Sequence, residues 1–396
     1  MSKTKFKALI VGGGFGGIKT ALELSHDSRF SITVLTHKPT FRYYPSLYHT
    51  ATGGSREATS IPIKDIFEDY PSVKVAIDSA KSIDREKKFI LTESGEKYEY
   101  DVLVFALGMK TNYFGIPGLE KLAFGIKTNT EAERLKKHIH KHIINTKHPD
   151  LNYVVVGGGP SGVELAGVLG QYVKKVCSQH GVSKASVHVD LVEASPRLLP
   201  IMPKIVSSRV SRNLRKLGVK IYLNSAVKSL SDDELMVNDK PIRSHTVIWT
   251  AGTSNNEFFT NNGFQISGNR KVRVDQFLQA ERGIYVIGDN ADTPYSGLAQ
   301  TALYDGRYIA ENIIRLANDD YPIPYEAKRP VYVLPAGPNW AAVVWGRFYF
   351  FGRLGWWLRR AADFVAYRDY EPWFKATKHW FAEYKEEDLC PLCDQD

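Results

Sequence analysis

Two stretches of the 396-residue chain space their glycines in a way that could hold a pyrophosphate. In "KALIVGGGFGGIKTALEL", Gly12, Gly14 and Gly17 stand in G-x-G-x-x-G register, with Phe15 and Gly16 between the last two. In "YVVVGGGPSGVELAGVL", Gly157, Gly159 and Gly162 repeat the register around Pro160 and Ser161. The first glycine makes a tight turn, the second lets backbone approach a pyrophosphate, and the third lets the following helix pack close to the strand. The helix that follows then turns free N–H groups toward the anion. Each stretch is therefore expected to cradle a dinucleotide.

Carboxylates that could read a ribose differ between the two. After the first turn the next strand, "SITVLTH", has Thr36 where an acid is the usual partner, and a hydroxyl is the weaker acceptor. A plain strand-end threonine is the competing reading. After the second turn, "SVHVDLVE" ends in Glu193, which suits both ribose hydroxyls of NADH and repels the extra phosphate of NADPH. Glu193 follows Gly157 by 36 residues, against about 20 in the minimal motif, so an extended helix or connection is expected between them. Arg197 nearby keeps NADPH open as an alternative. "HTVIWTAGT" then reads as the strand that closes this lobe, with Gly252 in its turn.

The elements that carry these turns need room. A chain of this length exceeds what one core usually supports, so two or three lobes are expected. Hydrophobic residues make up 43% and charged residues 24%, as in an ordinary globular protein. The start, "MSKTKFKALIV", lacks an apolar leader core, and three cysteines are too few for a disulfide framework, which together suggest the cytoplasm. Cys177 reads as a small core hydrophobe. "LCPLCDQD" holds Cys390 and Cys393 in a C-x-x-C without a second half, so a tail without a role competes with a zinc site or redox pair. His138, His140, His142 and His148 read as a solvated helix face, and no metal is expected. The net charge of +9 suits an anionic membrane or nucleic acid.

Two further runs end in glycine turns: "YDVLVFALG" at Gly108 and "GIYVIGDNAD" at Asp289. With the first cradle they resemble the flavoprotein superfamily of reductases with two dinucleotide-binding domains. That resemblance implies that Asp289 holds the ribityl chain of FAD, and that the chain binds FAD in the first cradle and NADH in the second. The order "GGGFGG", "YPSLYHTATGG", "YDVLVFALG", "VVVGGGPSGVELAG", "IGDNAD" and "LAQTALYDG" resembles the type II NADH:quinone oxidoreductases over roughly residues 6 to 315. By this resemblance Glu164 lies near nicotinamide and flavin, while Ala299, Gln300 and Ala302 lie on the quinone-facing side. Tyr304 stands where family members often carry a second glutamine. Glu164, Gln300 and Tyr304 are the catalytic candidates, a helix-start structural role being the alternative for Glu164.

The expected fold is α/β with two Rossmann-like domains: an FAD domain from 1–120 and 265–330, an NADH domain from 121–264, and a C-terminal amphipathic helical region, 331–396, that associates with a membrane. Six of the seven tryptophans lie between Trp340 and Trp380. In "RLGWWLRRAADFVAY", Leu354, Trp357, Leu358, Ala361, Phe364 and Val365 share one helical face, with Arg359 and Asp363 opposite. The seven Lys/Arg against three Asp/Glu in 331–381 favour anionic lipid, and no run is long enough to span. A peripheral protein on the cytoplasmic face of a membrane is expected, with a homodimer as the other way to cover such a face. The aromatics follow a helical stripe, which disfavours nucleic acid. Sulfide:quinone oxidoreductases and dithiol-relay reductases need cysteines beside the flavin, and residues 36–60 have none. A soluble ferredoxin-type reductase and a non-catalytic flavin sensor remain as alternatives.

Overall fold

Strand Phe6–Val11, which ends at the first glycine turn, sits inside a six-stranded sheet ordered Gln279–Glu281, Ile284–Val286, Val102–Phe105, Phe6–Val11, Phe30–Thr36, Val73–Ile77. The computed structural model describes residues 5–54, 59–382 and 390. Every pairing in this sheet is parallel except the hairpin edge formed by Gln279–Glu281 and Ile284–Val286. The central strands are apolar runs rather than alternating ones because helices cover the sheet. Register aligns Val11 with Phe105, and Phe105 with Val286. The three strand ends therefore deliver the turns at Gly12, Gly108 and Gly288 to one edge, where open α/β sheets bind their ligands.

The chain builds this arrangement a second time. Strands Val219–Tyr222, Val189–Val192, Tyr153–Val156 and Thr246–Trp249 form an all-parallel sheet in that order. Val156 is level with both Val192 and Trp249, so Gly157, Glu193 and the Thr250–Gly252 turn leave the sheet together. The spacing between Gly157 and Glu193 is taken up by the 20-residue helix Pro160–Gln179 and the connection after it.

Helix Asn129–Thr146 packs beside this second sheet. It starts with a capping box: Thr128 Oγ1 accepts from the Glu131 N–H at 3.0 Å and Glu131 Oε2 accepts from the Thr128 N–H at 2.9 Å. Ala132, Leu135, Ile139 and Ile143 form its buried stripe. The expected solvated histidine face is corrected here. His140 is 1% exposed and hydrogen-bonded to His180, and His138 pairs with Thr246 at 3.0 Å. The period of the apolar stripe puts position 140 on its flank, where a polar ring is buried if it finds a partner. Cys177 is fully buried and free, packed in the same core.

The C-terminal region corrects the expected helical segment: its first part is a three-stranded antiparallel sheet, Tyr332–Pro335, Ala341–Trp345 and Phe348–Gly352, where apolar β-branched and aromatic residues pair as strands, and only then come helices Arg353–Arg368 and Trp373–Ala382. It is shared between both halves. Leu334, Ala336, Ala342 and Val344 enter the core around the second sheet, whereas Tyr367, Tyr370 and Ala376 enter the core around the first.

Candidate active site

The first turn fits a dinucleotide cradle atom by atom. Gly12 has φ +125°, and a Cβ there would meet the Ala106 carbonyl oxygen at 2.2 Å. A Cβ at Gly17 would lie 2.0 Å from the Gly12 oxygen. Gly14, by contrast, has no protein atom within 4 Å of that point, so its open side faces space a ligand can take. Phe15 and Gly16 begin the helix Phe15–Ser25. Gly16 and Gly306 let that helix pack tightly on helix Ala299–Leu316; a Cβ at Gly306 would come within 2.7 Å of the Gly16 oxygen.

The second turn repeats this geometry. Gly157, with φ +116°, lies against Thr250 and Ala251; a Cβ at Gly162 would sit 1.8 Å from the Gly157 oxygen; Gly159 is open. Pro160 occupies the first turn of the helix and Ser161 is exposed. Glu193 closes over the turn: Oε2 accepts from the Gly158 N–H and Oε1 from the Ser195 N–H at 2.7 Å. Arg197 donates instead to the carbonyls of Leu199, Pro200 and Met202. Gly252, in the turn after the last strand, packs against Phe114.

Thr36 occupies the place beside the first turn that Glu193 has beside the second. It is buried, its hydroxyl bridges to the backbone of Lys38, and it would contact a Cβ at Gly13 just as Glu193 would at Gly158. Next to it Lys38, Thr40, Arg42, Ser60, Thr128 and Asn129 line a polar cavity of about 460 Å³ that the motifs did not mark.

Asp289 stands in the 3-10 turn Gly288–Asn290 at the ligand edge of the first sheet. Burial raises its carboxyl pKa above the usual range, while Lys271, the Gly297 N–H and Lys127 pull it back. Lys127 Nζ is itself buried without a hydrogen-bond partner among the described residues, which fits a site awaiting an acceptor. Two other residues position this turn, and sequence reasoning had missed them. Asp305 is fully buried, accepts the Gly288 N–H at 2.9 Å and the Tyr325 phenol at 2.7 Å, and is pushed up to about 6 by burial. Asn290 exchanges two hydrogen bonds with the Gly108 backbone, at 2.9 and 2.8 Å. Both lie inside quoted motifs, "LYDG" and "GDNAD", yet only the fold reveals what they hold.

Ala299 and Gln300 open the helix Ala299–Leu316, and the Ala302 methyl lies 3.3 Å from where Gly288 would carry a Cβ. The helix start thus abuts both the Gly-Asp turn and the first glycine turn. Gln300 is exposed and its Oε1 accepts from the Val331 N–H. Tyr304 sits under the Lys328 ammonium, 4.4 Å from its ring centroid, and burial holds its phenol pKa up, so it stays a neutral donor.

Glu164 is pushed up to about 8, chiefly by burial; Arg359 lowers it and Asp363 raises it. Those two groups come from helix Arg353–Arg368. Arg359 and Asp363 lie opposite the apolar stripe, and theirs, with Arg360 beside it, is the face that is buried. Arg359 Nε donates to Asp363 Oδ2 at 2.5 Å, another guanidinium nitrogen reaches the Pro45 carbonyl, and Tyr43 donates to Asp363 Oδ1 at 2.8 Å. Arg359 and Arg360 are therefore unavailable to lipid. Nearby, burial and these two arginines push His49 down to about 4, leaving it neutral. Leu354, Trp357 and Val365, together with Trp373, Phe374 and Phe381 of the last helix, are exposed. No helix among the described residues is long and apolar enough to cross a membrane.

Residues 6–306 match the pyridine nucleotide-disulphide oxidoreductase family. A type II NADH:quinone oxidoreductase of Staphylococcus epidermidis is 26% identical over 371 residues, covering 88% of this chain and 92% of that one. Among solved structures, NDH2 from Plasmodium falciparum in complex with NADH superposes with a TM-score of 0.84 at 19% identity, covering 96% of this chain and 97% of that one. The sulfide:quinone oxidoreductase of Aquifex aeolicus superposes with a TM-score of 0.75 at 19% identity, covering 98% and 94%.

Proposed function

The chain belongs to the pyridine nucleotide-disulphide oxidoreductase family, and on that premise we propose that it is an FAD-dependent NADH:quinone oxidoreductase of type II, moving two electrons from NADH to a quinone without pumping protons. One observation carries the reading: the same open glycine turn is built twice, at Gly14 and at Gly159, each at the ligand edge of its own parallel sheet. The name of the Staphylococcus epidermidis relative supports quinone as the acceptor. Chemistry supports it too, since the family's dithiol relays need thiols beside the flavin and residues 36–60 contain no cysteine.

In this reading residues 1–120 and 265–330 form the FAD domain, residues 121–264 the NADH domain, and residues 331–396 the membrane-associating region. Gly12, Gly14, Phe15, Gly16, Gly17, Thr36, Gly108, Asp289 and Ala299 bind FAD. Gly157, Gly159, Pro160, Ser161, Gly162, Glu193 and Gly252 bind NADH. Bound FAD supplies a carrier that accepts a hydride and gives up electrons to quinone. The protein's part is orientation and protons. Glu193 fixes the ribose end and, being anionic, selects NADH over NADPH, with Arg197 already committed to backbone carbonyls. Glu164 holds a proton on its carboxyl at neutral pH, because its pKa lies near 8. Gln300 and Tyr304 present an amide and a phenol where the quinone docks.

An apolar quinone must be reached from the bilayer, and the outward apolar face of helix Arg353–Arg368 supports a flat docking on lipid. Exposed Arg347, Arg353 and Arg368 border it and suit an anionic leaflet. The protein then works as a peripheral protein on the cytoplasmic face, and a homodimer through the same face is the competing cover. Anaerobic half-reactions test the function: NADH is expected to bleach the flavin absorbance and a short-chain quinone to restore it rapidly. Bleaching without reoxidation by quinone would redirect the reading to a protein acceptor; no bleaching would overturn it.

A further inference from the structure

His140 and His180 come from different helices and meet at the far end of the NADH-binding half. His140 projects from Asn129–Thr146 and is buried; His180 caps the C-terminus of Pro160–Gln179. Nδ1 of the first and Nε2 of the second are 3.0 Å apart. A third donor reaches them from 210 positions further on: the Cys390 sulfur and the two ring nitrogens all lie within 4.8 Å of one another. Two imidazole nitrogens and one thiolate are the donor set that zinc prefers. With Zn–N near 2.0–2.1 Å, a tetrahedral ion would hold two nitrogens about 3.3 Å apart, so the two rings need little adjustment.

We propose that His140, His180 and the thiolate of Cys390 bind a zinc ion that fastens the C-terminal tail to the end of helix Pro160–Gln179. Cys390 is disulfide-bonded in the structure, so binding requires a two-electron reduction. With a phosphine as reductant, the sulfur pair takes up two electrons and two protons, and the phosphine becomes its oxide with oxygen from water. Zinc then displaces the Cys390 thiol proton. The imidazole that donates the histidine hydrogen bond shifts its proton to its other ring nitrogen, freeing both facing nitrogens for the metal. Cys393 lies outside the described residues, and the site is argued from the three donors alone.

A second cluster, His142, Asp150 and His245, provides the internal control. There Asp150 already accepts the Leu151 N–H, the His245 N–H and the His245 ring. The experiment uses the full-length flavoprotein, stripped with a chelator, reduced with a phosphine, incubated with zinc and desalted. Metal is measured by mass spectrometry, and the flavin spectrum monitors the fold. One zinc per chain is expected in the wild type and in His245→Ala, with at least an approximately tenfold loss in Cys390→Ser and in His180→Ala. Cobalt in place of zinc is expected to give tetrahedral ligand-field bands beyond the flavin absorption, lost in Cys390→Ser. An unchanged flavin spectrum in Cys390→Ser shows that the fold survives, so that a lost metal is a lost ligand. No zinc retained by the reduced wild type would overturn the proposal, as would equal retention in Cys390→Ser.

Discussion

The phenol of Tyr43 donates a 2.8 Å hydrogen bond to Asp363, 320 positions away, and joins the core around the six-stranded sheet to helix Arg353–Arg368. Asp363 also pairs with Arg359, both side chains being buried. A buried ion pair adds little net stability, but losing one partner strands the other charge. Asp363→Ala is therefore expected to cost about 3–5 kcal/mol in chemical denaturation, and Tyr43→Phe about 1–3 kcal/mol. The double variant is expected to cost less than the sum, because the two singles remove parts of one network. Additive losses would show that the phenol and the carboxylate act independently.

Gly14 and Gly159 separate ligand space from protein space. An alanine at either position meets no protein atom, and neither glycine has a positive φ. Gly14→Ala is expected to leave the apoprotein's thermal midpoint unchanged while lowering FAD content, and Gly159→Ala to raise the KM for NADH with FAD content intact. Gly306→Ala behaves oppositely: its methyl would press on the Gly16 backbone and cost about 1–3 kcal/mol of stability whatever is bound. Calorimetry with and without added FAD distinguishes the two classes.

Glu164 has a pKa pushed up to about 8, so it is neutral below that pH and charged above it. If it delivers a proton, reoxidation by quinone falls as pH rises through about 8, and Glu164→Gln flattens the profile at a reduced rate with FAD still bound. Stability carries the same sign. The folded state binds the extra proton between the ordinary value of 4.5 and about 8, so the carboxyl's contribution declines as pH rises through that window. Stopped-flow reoxidation across pH reads the first effect and urea unfolding the second. An unchanged profile in the glutamine variant would remove Glu164 from proton delivery.

Glu193 spends one lone pair of each oxygen on backbone N–H groups of its own turn. Glu193→Gln keeps the shape but puts a donor where a second acceptor stood. Bleaching by NADH is expected to need about tenfold more nucleotide, a loss near 1.4 kcal/mol, and the preference over NADPH to shrink. Titration of flavin bleaching with each nucleotide checks both.

Trp357 and Leu354 are 62% and 57% exposed on the outward face of the C-terminal helix. Trp357→Glu with Leu354→Glu is expected to leave stability within about 0.5 kcal/mol, as for surface changes generally, and to abolish co-sedimentation with anionic vesicles. Retained vesicle binding, or a change of oligomeric state instead, would assign that face to a protein partner.

Local order was written plainly enough to be read in one dimension. Glycine registers demand particular backbone conformations and a strand before and a helix after, so both cradles, their sheets and Asp289's turn follow from short stretches. Long-range closure was not so legible. That Asp305 would hold the Gly288 turn, or Asn290 the Gly108 turn, depends on which strand ends the sheet aligns. The helical stripe of Leu354, Trp357 and Val365 gave the faces of the C-terminal helix but not their direction, because periodicity separates two faces without saying which is inside. Only the tertiary structure decided that the charged face turns inward: Tyr43, Pro45 and Asp363 satisfy Arg359 there, so its burial is tolerated and the apolar face is left outside. For the same reason His140 could not be placed from its polar helix: a second imidazole, 40 residues away, makes its burial affordable.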